Sequence, residues 1–476
     1  MSSPAGAVVG KATSQEQSTA MSARAKYLTL IALMLPQLMI VFNLSAVSVA
    51  LPAVREAFNA PVDTMAWVVT IYTLPYVALM PLYGRLGDDL GIRRMVLVST
   101  AVFLAGTALD VFSPNLSLLL LGRFIQGAGA SGIVPLAIAM IYRIFPRDEQ
   151  GRALGQWNSI GPVASVAGSL ISGVIIDNLG WRIIFLLPLL VGLVTLYMVR
   201  RTAHGAEPHL HLDALRSFDW GGVLLLAATL TAFLFYLTSR SITGQPPLRD
   251  WRLLLATIIP LVAFLWYERR QAAPFIDLTI LTDLNLLRVC LSSATRMFVM
   301  ASTDFLIPLF LSDLQGLSAT AIGLIVMIRS AALFPTMYFG GRITDRWGSR
   351  RPIILGLGVQ TASLALIALD GAGGAGVVWT VTGLLLNGLS AGMALPALHR
   401  AAMEGPEGER SGAAAGVYSM IRFWGMMLGT AVAGVLLQSL LDRGIAPLLS
   451  YRLVYAATAL VGAVGVVSAI VLREER

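Results

Sequence analysis

Charge is scarce in this chain. Asp, Glu, Lys and Arg make up 13% of its 476 residues, where a soluble domain carries about 25%, and a chain with so little polar surface reads as a membrane protein. Cysteine is nearly absent: the single copy, Cys290, cannot form an internal disulfide. Of the four histidines, His204, His209 and His211 crowd with Asp213 into "AHGAEPHLHLD", a polar linker that reads as a solvated loop and not a metal site. Only His399 lies near an apolar stretch, so no nucleophile with a positioned base is recognisable and a hydrolase is not expected. No G-x-x-x-x-G-K-S/T loop occurs, so ATP drive is not expected, and no cofactor is implied. No basic run interleaved with aromatics is present, so the net charge of +8 does not point to nucleic acid.

What the chain has in abundance is long apolar runs. Hydrophobic residues reach 56%, and about 20 in a row suffice to cross a bilayer as a helix. Fourteen such stretches can be counted, at 27–50, 63–83, 95–112, 116–142, 153–176, 181–198, 218–240, 251–267, 286–313, 318–339, 352–370, 375–400, 411–438 and 451–471, here called spans 1 to 14. An outer-membrane barrel would show short alternating segments, whereas "VLLLAATLTAFLFYL" and "ATALVGAVGVVSAIV" are continuous. The fold class expected is therefore an all-α polytopic membrane protein. Residues 1–22 are small and polar without an apolar core, so they read as a disordered tail and not as a cleavable signal. Basic residues favour one side: with the N-terminus cytoplasmic, 22 of the 34 fall in the tails and even-to-odd loops and 7 in the opposite loops, which predicts both termini in the cytoplasm.

One polar sentence is written twice. "GRLGDDLGIRR" at 84–94 aligns without a gap on "GRITDRWGSRR" at 341–351, an offset of 257 residues from Gly84 to Gly341. The first copy follows span 2 and the second follows span 10. This predicts a chain of two related halves, 27–198 and 286–471, with spans 7 and 8 and their linkers (199–285) inserted between them and short tails at 1–26 and 472–476. Gly84 and Gly341 would allow close helix approach, and Gly91 and Gly348 a tight turn. Asp88 with Arg93 and Arg94, and Asp345 with Arg350 and Arg351, would clasp neighbouring helix ends by charge-assisted bonds.

The doubled loop resembles the G-x-L-x-D-x-x-G-x-R-R motif of the major facilitator superfamily, and fourteen spans resemble its drug/proton antiporter branch. "VSVALPAVREAF", "LLGRFIQGAGAS", "WRIIFLLPL" and "SGAAAGVYSMIRFWGMMLG" are similar to the first, fourth, sixth and thirteenth spans of that branch, so the resemblance covers roughly 27–471. It implies two six-helix bundles around a central cavity that opens alternately to either side, two extra central helices, and loop motifs that stabilise the outward-facing arrangement. The chain also departs from the branch. Asn43 stands where the first span usually carries Asp, and an amide carries no proton. In "GSLISG", Ser169 and Ser172 replace a Pro and a Gly of the usual fifth-span motif, and the Gly161-Pro162 pair lies two turns earlier.

Charge inside a span marks function by default. Arg123, Arg296, Asp304, Arg329 and Arg422 are deep, while Arg288 lies where it can snorkel. Asp304 is the one deep acid on this count, and is the candidate proton carrier together with Arg123; its structural alternative is an ion pair with Arg296 or Arg329. Asn43, Trp67, Tyr72, Gln126, Trp157, Arg296, Met297, Met300, Arg329, Asn387, Arg422, Trp424 and Met427 are candidates to line the cavity. The function expected is secondary active transport, with proton-coupled export of amphipathic or drug-like molecules. Runners-up are a transporter of anionic or lipid-like substrates, suggested by the excess of deep Arg, and a non-transporting sensor on the same fold. The partners implied are a small-molecule substrate, protons and the bilayer of the plasma (inner) membrane, with a monomer as default.

Overall fold

The computed structural model describes residues 23–202, 219–239, 243–271, 283–370, 377–403 and 409–473. The polar stretch 1–22 and the His204, His209, His211 and Asp213 cluster lie outside them. Hydrocarbon offers backbone groups no partner, so each crossing must close its own hydrogen bonds; all regular structure among the described residues is helical. Among the described residues, fourteen helices are long and apolar enough to cross a membrane: Ala25–Phe58, Val62–Leu90, Ile92–Val111, Leu116–Ile144, Glu149–Leu179, Trp181–Arg201, Trp220–Leu237, Trp251–Glu268, Leu284–Gln315, Ala319–Trp347, Arg350–Leu369, Val378–Met403, Gly416–Asp442 and Pro447–Ile470. They keep the span numbers above. Spans 1–6 and 9–14 form two six-helix bundles. Span 7 packs on spans 2 and 13 through Leu226, Leu230, Trp67 and Met427, with span 8 outside it.

The repeat seen in the sequence is repeated in the bonds. Arg143 Nη2 lies 3.3 Å from Asp88 Oδ1, and Arg400 Nη1 lies 3.4 Å from Asp345 Oδ1; both partners are shifted by the same 257 residues as the glycines. Arg93 donates to the Arg200 carbonyl at 2.5 Å, and Arg350 to that of Ile470. Arg94 and Arg351 are exposed beside them. Gly91 and Gly348 make the turns at φ of 96° and 76°, a region that L side chains avoid. Gly84 and Gly341 do not make the close approach expected of them: a Cβ on Gly84 would meet Pro135 at an ordinary 3.8 Å, and one on Gly341 would meet nothing within 4 Å. The close approaches lie deeper, where a Cβ on Gly127 would come within 2.0 Å of the Tyr72 carbonyl and one on Gly388 within 2.2 Å of that of Arg329. These glycines let span 4 touch span 2 and span 12 touch span 10, backbone to backbone.

The halves touch at mid-depth, as at Tyr76 and Phe423 with ring centroids 5.4 Å apart, and at one of the two ends. The end carrying the start of span 1 and the loops after even spans is called the tail side, and the other the far side. On the far side a single apolar core joins Leu51, Val54, Trp181 and Phe185 of the first half to Phe305, Phe310 and Tyr451 of the second. Arg55 Nη1 pairs with Asp313 Oδ2 at 2.8 Å. The Gln438 side chain accepts from the Val62 N–H at 2.8 Å, and Asp177 accepts from the N–H groups of Ala319 and Thr320. On the tail side the core is split in two. Leu33, Met140, Phe145 and Trp157 belong to one cluster and Val289, Leu357, Leu398 and Tyr418 to another, each within its own half. The molecule is thus closed on the far side and parted on the tail side.

Two outcomes are expected. Asp313→Asn removes the far-side ion pair, which is partly exposed and worth about 1 kcal/mol at most. It should shift the balance about fivefold toward the state open on the far side, read as spin-label distances between spans 1 and 9; an unchanged distribution would show that the pair does not hold the gate. Asp88→Asn removes a clasp whose carboxylate is 69% exposed. Transport rate and conformational balance should change while substrate affinity stays constant, and a large loss of affinity with unmoved populations would remove Asp88 from the gate.

Candidate functional site

Between the halves lies a cavity of about 200 Å³. The first half contributes Val41, Leu44, Ser45 and Ser48 from span 1, Val69 and Thr73 from span 2, and Ser165 and Ser169 from span 5. The second half contributes Met300, Asp304 and Phe305 from span 9, Val326, Arg329 and Ser330 from span 10, and Met426 and Thr430 from span 13. Spacings of three and four residues put each set on one helix face. The first half is therefore lined by neutral hydroxyls and aliphatic groups, and the second carries the charge.

That charge is a pair. Arg329 Nη2 donates to Asp304 Oδ1, and the Asp304 side chain is 30% exposed, its open face lining the cavity. Arg329 Nε and Nη1 have no hydrogen-bond partner. Span 9 is fixed to span 1 beside this pair by a proline effect. Pro308 has no N–H, so the Asp304 carbonyl four residues before it loses its helical donor; the Ser48 hydroxyl of the other half supplies one at 2.5 Å. A second polar seam runs from Ser45 Oγ to Ser165 Oγ at 2.9 Å and on to Ser330 Oγ, next to Arg329, at 2.8 Å. Each hydroxyl can give or accept a proton.

Arg123 occupies a different place. It is fully buried inside the first half, away from the cavity lining. Its Nε donates to the Val68 carbonyl at 3.0 Å, its Nη1 to Asn43 Oδ1 at 2.6 Å and to Gln126 Oε1, and it stacks over Tyr72 at 4.3 Å. Gln126 Nε2 passes the chain on to Thr107 at 2.8 Å. Asn43 thus serves a buried guanidinium and does not face the cavity. Sequence reasoning missed the acid nearest this network. Asp110, in the last turn of span 3, is 0% exposed, neither of its oxygens has a hydrogen-bond partner, and it interacts electrostatically with Arg123. Asp304 is therefore not the one deep acid. The last turn of a span looks wet in sequence, but here Gly122 leaves room for the carboxyl, and Arg182 on the Ser113 carbonyl folds the next loop over it.

Of the other candidates, Met300, Asp304 and Arg329 line the cavity. Trp67 faces span 7, its ring 5.2 Å from Phe235. Trp157 donates to the Leu33 carbonyl at 3.1 Å in the tail-side core of the first half. Asn387 donates to Ser363 at 3.1 Å between spans 12 and 11, as Gln126 does to Thr107 between spans 4 and 3. Arg296 is buried with Nη2 3.3 Å from Met297 Sδ. Arg422 Nη1 lies 3.0 Å from His399 Nε2, and Trp424 packs toward the first half. The serines were legible as spacing but carried no charge to single them out. Among the described residues no cluster of His, Cys, Asp and Glu fit to hold a metal ion occurs.

Comparison with known proteins places this geometry. The profile of the Major Facilitator Superfamily matches residues 33–430 and 289–476. The Multidrug resistance protein Stp of Mycobacterium tuberculosis (strain CDC 1551 / Oshkosh) is 28% identical over 425 residues, 89% of this chain and 78% of that protein. The Drug efflux pump JefA of the same strain is 29% identical over 428 residues, 88% of this chain and 82% of that protein. A bacterial homolog of the human lysosomal transporter Spinster, solved in an inward-facing, unoccupied conformation, shares the fold with a TM-score of 0.67 at 14% identity, over 94% of this chain and 98% of that one. The helices share that fold, and because the profile runs over most of the sequence, the chain belongs to the major facilitator superfamily and is a membrane transporter, not an enzyme.

Proposed function

We propose that the protein is a proton-coupled secondary transporter of amphipathic small molecules, working by alternating access in the cell membrane with both termini in the cytoplasm. The observation that carries this reading is the Asp304–Arg329 pair on the wall of a cavity that both halves line. One proton on Asp304 cancels the pair and releases Arg329, which already has unused N–H groups, so a single protonation changes what the cavity offers a substrate. The Ser45, Ser165 and Ser330 hydroxyls give a proton a path along the seam, and Ser48 ties the Asp304 backbone to the other half, so a change at Asp304 is felt where the halves separate. Arg123, sealed from the cavity, binds spans 1, 2 and 4 into one moving body. Export is the direction that the names of Stp and JefA lend to the reading. With the tail side cytoplasmic, the state described is the inward-open one.

Asp304→Asn tests the coupling. If Asp304 carries the proton, uphill transport driven by a pH gradient should be lost while substrate exchange across proteoliposomes persists, because exchange needs the alternating motion and not net proton transfer. If the carboxylate only neutralises Arg329, its loss leaves a buried cation unpaired at a cost of about 3–5 kcal/mol, and melting temperature and exchange should fall together. Normal stability with normal pH-driven transport would refute both roles. Orientation is checked separately: reporters fused after Arg201 and Arg270 should lie in the cytoplasm, and a signal from the opposite side at either would overturn the topology.

A further inference from the structure

The second half holds more cation than its acids can answer. Arg329 and Arg422 both lie within electrostatic reach of Arg296, and among the described residues the one carboxylate bonded to any of the three is Asp304, on Arg329. Arg422 lies 3.0 Å from His399 and over the Phe423 ring at 4.7 Å. A guanidinium can only donate, so His399 Nε2 accepts there and the ring adds no negative charge. Arg296, 3% exposed, spends Nη2 on the thioether of Met297, and its Nε has no partner. Arg329 Nε and Nη1 and Arg422 Nε are likewise buried without partners. Three guanidinium groups with idle buried donors, Arg296 repelled by the other two, are costly to keep.

Their placement is that of an entrance. Arg296 is one turn before Met300 on span 9, and Arg422 one turn before Met426 on span 13; both methionines line the cavity. Spans 9 and 13 both run from the tail side inward, so Arg296 and Arg422 lie one turn toward the tail side from lining residues, and Arg329 is itself in the lining. The geometry points to an oxyanion site: the cavity binds the carboxylate or phosphate head of an amphipathic substrate on Arg296, Arg422 and Arg329, with its apolar body against the aliphatic wall at Val41, Leu44 and Val69. Arg is the residue suited to either head, because its fork matches the paired oxygens of both.

This inference rests on the transporter reading but not on its direction. An oxyanion on these arginines and a proton on Asp304 favour each other, so by linkage such a substrate binds with proton uptake and travels with the proton. A cation would compete with the proton and be exchanged for it.

The test uses the full chain in nanodiscs of zwitterionic lipid and three probes with the same eight-carbon tail: octanoate, octyl phosphate and octyltrimethylammonium. Calorimetric titration in two buffers of different ionisation enthalpy reads affinity and proton exchange together. Saturable binding of octanoate, octyl phosphate or both is expected, with proton uptake, and tells which head is taken. Arg422→Gln, at a partly exposed position, should weaken it about tenfold or more. Arg296→Gln should do the same; if that variant melts early, Arg296→Lys keeps the charge, loses the fork and should bind with intermediate affinity. Octyltrimethylammonium bound as tightly as the anions, or anion binding untouched by Arg422→Gln and by the folded Arg296 variant, would overturn the assignment. Cation binding with proton release would overturn it and leave proton-driven export standing, whereas failure of the transporter reading itself would appear as absent flux of every probe when the same protein is reconstituted in proteoliposomes.

Discussion

A guanidinium in a medium without water must be met by an acceptor, and the different ways this chain meets that demand divide its interior into scaffold and site. Arg123 is answered almost completely, by a carbonyl, two amide oxygens and the face of Tyr72. Its Nη2 alone lacks a hydrogen-bond partner, the buried Asp110 interacts with it electrostatically, and it holds three helices of the first half together. Arg329 is answered by a carboxylate that faces a cavity, a partner that one proton can remove. Arg296 is answered by a sulfur, a weak acceptor that satisfies little. On the proposed function the same residue type would pass from fixed strut to switch to open valence, and the progression runs from the first half into the second.

The asymmetry stands on a symmetric frame. The shift that carries Asp88 and Arg143 onto Asp345 and Arg400 also carries Tyr72 onto Arg329, and both of those carbonyls receive a glycine from the helix two spans on. The shift that carries Gln126 onto Asn387 carries Arg123 onto Leu384, a buried aliphatic residue. Backbone approach, turns and helix-end clasps are kept in both halves because they set how each bundle packs. The deep charges are not kept, because chemistry is needed on one wall only. A cavity with cations on one side and hydroxyls on the other can hold a polar head in one place while its other wall moves.

Most of the frame was legible in the sequence, and less of the site. Apolar run length is a one-dimensional property, so fourteen spans could be counted, and the doubled loop gave the two halves and the insertion. Deep charge is conspicuous for the same reason, and it led to Asp304 and Arg329. Which face of a helix meets the cavity is not one-dimensional: Trp67, Trp157 and Asn387 sit deep in their spans, yet they face span 7, the tail-side core and span 11. Ser45, Ser48, Ser165 and Ser330 reach the cavity but look like ordinary small residues of membrane helices. Asp110 was hidden by its position in a last turn, where only the folded loop reveals that water is excluded.

On the proposed alternating access, the state described would convert to one closed on the tail side. On the far side, Gly173 and Gly323 let spans 5 and 10 touch: a Cβ on Gly173 would come within 2.4 Å of the Ala319 carbonyl, and one on Gly323 within 2.3 Å of that of Ser169. On the tail side of span 5, Gly151, Gly155 and Gly161 would meet nothing within 4 Å, nor would Gly416 at the tail end of span 13. A glycine inside a helix costs about 1 kcal/mol relative to alanine, and on the far side close packing repays it. On the tail side the cost stands unreturned while the halves are parted. Closure of that side would bring these bare surfaces together as Gly173 and Gly323 are brought together now, and the apolar core given up on the far side would be replaced by contact here. On the proposed mechanism, a protonation or a bound head group would decide between these two packings.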